Sequence, residues 1–169
     1  MRRLIIVCLA LLSLCGSASA QDKIRVYLSA PTRDGFVDTS KDIQDSVKDV
    51  RKHLSNAKAL ILVPSPDAAD IILTIVQRGV GSSIYGDRLR LTEYYGDTEI
   101  TQTPMVSNTY WVSAVMTIGG YRKELVGTYV NQLSASLGSW GECAKDIAND
   151  LKQWVSVNAD TVRAKRARQ

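Results

Sequence analysis

The densest apolar run of the chain is Ile71-Ile72-Leu73-Thr74-Ile75-Val76, preceded by Ala69-Asp70 and a Pro64-Ser65-Pro66 break. It is too short for a spanning helix and too rich in β-branched residues for a comfortable buried one, so it predicts a central strand. Alternation places Ile71, Leu73 and Ile75 on one face and Ile72, Thr74 and Val76 on the other. The faces differ only slightly in polarity. The strand is therefore expected inside a sheet, covered on at least part of both faces, with a helical layer packed against it. Earlier in the chain, Ile24, Val26 and Leu28 alternate with Arg25 and Tyr27, the pattern of a half-buried first strand. Ala30-Pro31-Thr32-Arg33-Asp34-Gly35 has the residues of a loop.

From Thr39 the period becomes helical. Ile43, Val47, Val50 and Leu54 form one stripe, while Asp45, Lys48, Asp49, Arg51 and Lys52 fill the other side. Thr39 with Asp42 three residues on is a capping-box variant, and Asp42 and Asp45 suit the positive end of the helix dipole. Ala59 to Val63, ended by Pro64, predicts a second buried strand. Strand, helix and strand in so short a span give a right-handed crossover and a parallel pair.

Beyond Gly79 the pattern loosens. Gly79-Val80-Gly81-Ser82-Ser83-Ile84-Tyr85-Gly86 predicts a flexible turn. Arg88 to Tyr95 alternates briefly, Gly96-Asp97 turns the chain, and Glu99 to Val106 contains Pro104, which restricts that arm to an edge. The stretch predicts a protruding hairpin or a long excursion. Tyr110 to Ile118 and Lys123 to Gln132 flank Gly119-Gly120, the signature of an antiparallel hairpin. Ser139 and Glu142 then have capping-box spacing, and Trp140, Cys143, Ala144, Ile147, Leu151 and Trp154 form an apolar stripe reaching about Val157. Together these elements predict an α/β (α+β) fold. A mixed β-sheet of about five strands carries two amphipathic helices, in the order β-α-β-β-(excursion)-β-β-α.

Residues 1–20 have the layout of a cleavable export signal: Arg2-Arg3, an apolar Leu4 to Leu14, and the small-x-small site Ala18-Ser19-Ala20. Cleavage is expected after Ala20, by the general secretory route to the periplasm or exterior. What remains is a single domain over 21–158 and a flexible basic tail over 159–169. The apolar run is about half the ~20 residues of a membrane span, and Leu14 is too large to precede a lipidated Cys15. Cys8 and Cys15 leave with the signal, so Cys143 has no partner within the chain. The net charge of +4 belongs to the ends: without Arg2, Arg3, Arg163, Lys165, Arg166 and Arg168, 15 basic residues stand against 17 acidic ones. The folded part is not a basic surface, and no nucleic-acid partner is expected.

Candidate chemistry is sparse. His53, the single histidine, lies one turn after Asp49 on the polar side of its helix, and nothing places a nucleophile beside it. Cys143 sits on an apolar stripe and reads as a packing residue rather than an activated thiol. One histidine and one cysteine leave no usual zinc set. Asp34, Asp38, Asp87, Glu93, Asp97 and Glu99 show no calcium-loop spacing, and Gly79 to Gly86 lacks both the dinucleotide glycine spacing and a Gly-Lys-Ser/Thr ending. No catalytic residue, metal or cofactor is expected. The 79–111 excursion is the favoured partner surface, because Tyr85, Tyr94, Tyr95, Tyr110 and Trp111 bring five of the eleven aromatic residues there. Rings and arginines dominate binding hot spots. The candidate binding residues are Arg88, Arg90, Tyr94, Tyr95, Tyr110 and Trp111; alternatively, the rings cap the sheet edge.

The order of elements, with Ala69-Asp70-Ile71-Ile72-Leu73 opening the central strand, resembles small envelope α/β domains. These are the curli-secretion lipoprotein, the lipoprotein activators of penicillin-binding proteins, and the N-terminal domain of the Tol-system translocation protein. Asp34-Gly35-Phe36-Val37-Asp38, Asp42 to Arg51, Asn108-Thr109-Tyr110-Trp111-Val112 and Trp140-Gly141-Glu142-Cys143-Ala144-Lys145 are similar to a group of small secreted bacterial proteins of no assigned function. The resemblance implies a non-catalytic exported binding or adaptor module of the bacterial cell envelope, with an envelope protein or cell-wall component as partner. It departs from the lipoproteins in lacking a lipobox. A secreted hydrolase with an unrecognised Ser/carboxylate site is the alternative.

Overall fold

The computed structural model describes the backbone of residues 23–94, 97–131 and 139–167, and the side chains of the same residues except 83–106, 131 and 139. Strand β1 (Ile24–Ser29) buries Ile24, Val26 and Leu28 and leaves the residues between them half-exposed, as its alternation requires. The expected loop after it is a tight hairpin of β2 (Thr32–Arg33) and β3 (Phe36–Val37), turned by Asp34 and Gly35 at φ 52° and 84°. Helix α1 (Lys41–Leu54), β4 (Leu60–Leu62) and a one-turn 3₁₀ helix at Pro66–Ala68 lead to β5 (Ile71–Tyr94). Then come β6 (Asp97–Ile118), β7 (Tyr121–Asn131) and α2 (Ser139–Arg166).

The sheet order is β4-β1-β5-β6-β7, with β4, β1 and β5 parallel and β6 and β7 antiparallel. The mixed α+β fold expected from the periodicity is therefore present, down to the two-residue turn at Gly119-Gly120 that joins Ile118 to Tyr121. Both helices lie on one face of the sheet. Ile43, Val47, Val50 and Leu54 of α1 and Cys143, Ile147, Leu151 and Val155 of α2 are buried there against Ile71, Leu73, Ile75, Val112 and Met116. Each such side chain is worth roughly 1.5–3 kcal/mol before conformational entropy is subtracted.

Four expectations are corrected. Cover on both faces of the central strand is not supplied: Ile72 and Thr74 are half-exposed and Val76 is 39 % exposed. A sheet with antiparallel partners tolerates water on one side, and the Thr74 hydroxyl meets that of Ser29 at 3.2 Å. The Thr39 capping box does not form. The helix starts after Ser40, whose amide donates to Asp38 Oδ1 (2.8 Å), while Gln44 Nε2 donates to the Asp38 carbonyl (2.6 Å). The amide of Ser40 holds the Asp38 carboxyl below its ordinary value. The stretch from Gly79 to Gly86 is not a turn; it lies within β5.

The flexible tail is likewise helical to Arg166, because Val162 is buried and three of its four cations are engaged. Arg163 pairs with Asp160 (2.9 Å), Lys165 donates to the Ile118 carbonyl (3.2 Å), and Arg166 reaches Asp70. At the other end of α2, the side chain of Ser139 and its expected cap lie outside the described residues. Glu142 is held by Lys145 Nζ at 2.9 Å.

Candidate functional site

Strand β1 leaves β5 at the rung Ser29↔Thr74, and β7 leaves β6 at Asn108↔Asn131. Strands β5 and β6 continue together to Tyr94↔Asp97 as a two-stranded arm, about 40 Å long beyond Asn108 at ~3.3 Å per residue. The Ser82 hydroxyl donates to Asn108 Oδ1 (2.7 Å) where the arm begins. Pro104 sits opposite Asp87, beside a register shift and outside the reach of β7, which is where a proline is tolerated in a sheet.

The root of the arm is built by an earlier bulge. Ile75 pairs with Ala114 but Gln77 pairs with Ser113, so Val76 is an extra residue. A regular ladder would aim Arg78 at the open face; the bulge turns it to the helix face instead. There the guanidinium pairs with Asp42 in the first turn of α1 and lies 4.4 Å from the ring centroid of Trp140 in the first turn of α2. Tyr110 meets the same indole edge-on, 5.1 Å between centroids at 88°. Arg78 thus ties the arm to both helices, with a cation–π contact of about 0.5–2 kcal/mol added to the charged hydrogen bond. On the opposite face Trp111 crosses Gly79. A Cβ at Gly79 would stand 2.5 Å from Trp111 Cζ2, so only glycine admits the indole there.

Five of the six candidate residues lie on described backbone. Tyr110 and Trp111 sit at the root, on opposite faces of β6, and Tyr110 packs against the core. Arg88, Arg90 and Tyr94 occupy the outer arm, at the rungs with Thr103, Thr101 and Asp97. Their side chains and Tyr95 lie outside the described residues. Sequence reasoning missed Arg78 and Asp42, because only the bulge brings them together.

The second polar site is Asp70, the acid of the Ala-Asp motif. Its side chain is 3 % exposed and bridges three elements. It accepts from the Arg25 amide (2.8 Å) and Arg25 Nη2 (2.8 Å) in β1, and from Arg166 Nε (2.8 Å) and Nη2 at the end of α2. Arg166 also donates to the Lys23 carbonyl (3.0 Å). Burial pushes the Asp70 carboxyl up, but the hydrogen bonds from Arg25 and Arg166 outweigh it and hold the group below the usual carboxylate range. The same hydrogen bond raises the Arg25 guanidinium. Asp70 thus clasps β1 to the end of α2.

Cys143 is fully buried, with Sγ 3.4 Å from the Tyr110 carbonyl, and burial first, then Asp146, pushes its thiol up to about 11. At pH 8 roughly one molecule in a thousand is then thiolate. Cys143 is expected to resist iodoacetamide in the native protein and to react fully in urea, as read from the mass of the peptide that carries it. His53 lies in the last turn of α1. Among the described residues no group of three His, Cys, Asp or Glu side chains is placed to hold a metal, and no helix is long and apolar enough to cross a membrane.

No protein-family model and no curated protein matches the chain. Among solved structures it is similar to a "putative lipoprotein" from Caulobacter crescentus CB15, with TM-score 0.33 and 10 % identity over 83 % of this chain and 91 % of that one. It is also similar to a hypothetical protein from Chlamydia trachomatis, with TM-score 0.31 and 10 % identity over 85 % of this chain and 99 % of that one. Likenesses this slight carry no functional argument. The class is set by the fold itself: a mixed α+β domain that carries a long two-stranded β arm.

Proposed function

We propose that the chain is an exported, non-catalytic binding module that engages a protein of the bacterial cell envelope through its β5–β6 arm. The carrying observation is the arm's isolation. It runs for ten further rungs, from Ser83↔Ser107 to Tyr94↔Asp97, along which neither edge pairs with another strand among the described residues. A lone two-stranded ribbon is marginally stable in water, and unpaired edges are templates for strand addition by a partner. The buried, weakly acidic Cys143 supports a non-catalytic reading, and the signal-like layout of residues 1–20 supports export.

Two variants test this, alanine at Arg90, Tyr94 and Tyr95 together and replacement of residues 84–106 by a two-residue Asn-Gly turn, which closes the rung Ser83↔Ser107. Both are expected to keep the melting temperature within about 2 °C and to lose a specific envelope partner captured by the parent protein. A triple variant that fails to fold shows that the rings belong to the core. Turnover of an ester or glycan panel replaces the reading with a secreted hydrolase.

A further inference from the structure

At the end of the sheet opposite the arm, where β6 turns into β7, a groove follows the C-terminal half of α2. Its floor is a pair of rings. Tyr121 is stacked on Trp154, with centroids 5.9 Å apart and planes 21° from parallel. Tyr121 is 47 % exposed, so the ring face turned away from Trp154 is open. Two clefts border Trp154, about 310 Å³ on the side of Tyr121, Ile118 and Thr161 and about 390 Å³ on the side of Lys123 and Asp150. They share Trp154 and Asn158. Both have the dimensions of small-ligand sites.

We propose that this groove binds a neutral oligosaccharide, with Tyr121 and Trp154 as its platform. The C–H face of a pyranose ring is flat and apolar and stacks on an aromatic plate, whereas its rim of hydroxyls demands paired donors and acceptors. The groove supplies both. Asn158 Nδ2 donates to the Trp154 carbonyl (2.8 Å), which fixes the amide and leaves Oδ1 as an oriented acceptor beside the ring. Gln153 and Asp150 line the cleft from exposed positions on the preceding turns. Lys123 and Asp150 bring one charge of each sign to one cleft, and Lys165 in the other donates to the Ile118 carbonyl, so no cluster of like charges favours an ionic ligand over a neutral one. Because the clefts adjoin at Trp154 and Asn158, the two together offer room for more than one sugar unit.

The inference does not rest on the arm, since the two surfaces lie at opposite ends of β6. Calorimetric titration of the purified protein with oligomers of N-acetylglucosamine, glucose and mannose, one to four units long, tests it. Affinity for one series is expected to rise with length, by about tenfold from monomer to tetramer. Tyr121→Ala is expected to weaken tetramer binding about tenfold and Tyr121→Phe to preserve it, because stacking needs the ring and not the hydroxyl. Asn158→Ala is expected to weaken it without touching either ring, and the Arg90, Tyr94 and Tyr95 alanine variant to leave it unchanged. Absence of binding for all three series overturns the proposal. So does a folded Tyr121→Ala protein that binds as the parent does, which would make the ring pair a cover for the core.

Discussion

Asp70→Ala is expected to lower the stability of the domain by about 2–4 kcal/mol, a large share of the roughly 5–15 kcal/mol that holds a domain folded. The carboxylate is 3 % exposed and takes hydrogen bonds from two guanidinium groups and a backbone amide, so its removal takes three charged or polar contacts at once from β1 and the end of α2. Loss of a fully buried partner costs more; here Arg25 and Arg166 keep 37 % and 23 % of their side-chain surface and recover some hydration. Asp70→Asn separates charge from shape. The folded-state pKa lies below the ordinary value, so the charge contributes fully above the unfolded carboxyl pKa of ~3.9 and is lost as the pH falls through the depressed value. Urea titrations are expected to show a constant gap between parent and Asp70→Asn from pH 7 to about pH 5, closing only below about pH 4. A gap already gone at pH 6 would assign the pH dependence to another group.

Gly127→Ala is expected to cost about 3 kcal/mol, the upper end for overpacking, and to lower the melting temperature by about 6–12 °C. Helix α2 crosses β7 backbone against backbone at this point. A Cβ on Gly127 would lie 1.9 Å from the carbonyl oxygen of Cys143 and 2.7 Å from its carbonyl carbon. No side chain can rotate away, so the helix itself must move, and it carries Ile147 and Leu151 in the core. Gly81→Ala is the control: nothing lies within 4 Å of its Cβ position, and the substitution is expected to stay within about 0.5 kcal/mol of the parent. Equal effects at the two sites would mean that β7 and α2 are not packed this closely.

The two glycines show where sequence reasoning stops. In the chain, Gly127 merely weakens the alternation between Leu125 and Tyr129, and Gly79 opens a stretch that looks like a turn. In the fold the first admits a helix backbone and the second an indole. Both requirements come from residues distant in sequence. The Gly79 to Gly86 stretch looks like a turn for a related reason: three glycines and two serines suit a turn locally, but pairing with β6 keeps the strand extended. The candidate binding residues were legible as types, since rings and arginines concentrate between 79 and 111. Their division between root and outer arm was not, because it depends on strand register.

Taken alone, the sequence determined the elements that bury a repeating apolar face. The stripe of Ile43, Val47, Val50 and Leu54, the alternation of β1, and the pair of strands about Gly119-Gly120 each carry their signal within a dozen or so residues, and burial enforces it. Tertiary structure alone decided which face of the sheet stays open, that the basic end of the chain is helix rather than tail, and that Arg78 points at Trp140. These depend on one unpaired residue at Val76 and on charges such as Asp70 and Arg166, brought together across 96 positions of the chain. Contacts of that kind have no local period, so they become visible only when the strands are paired and the helices laid on them.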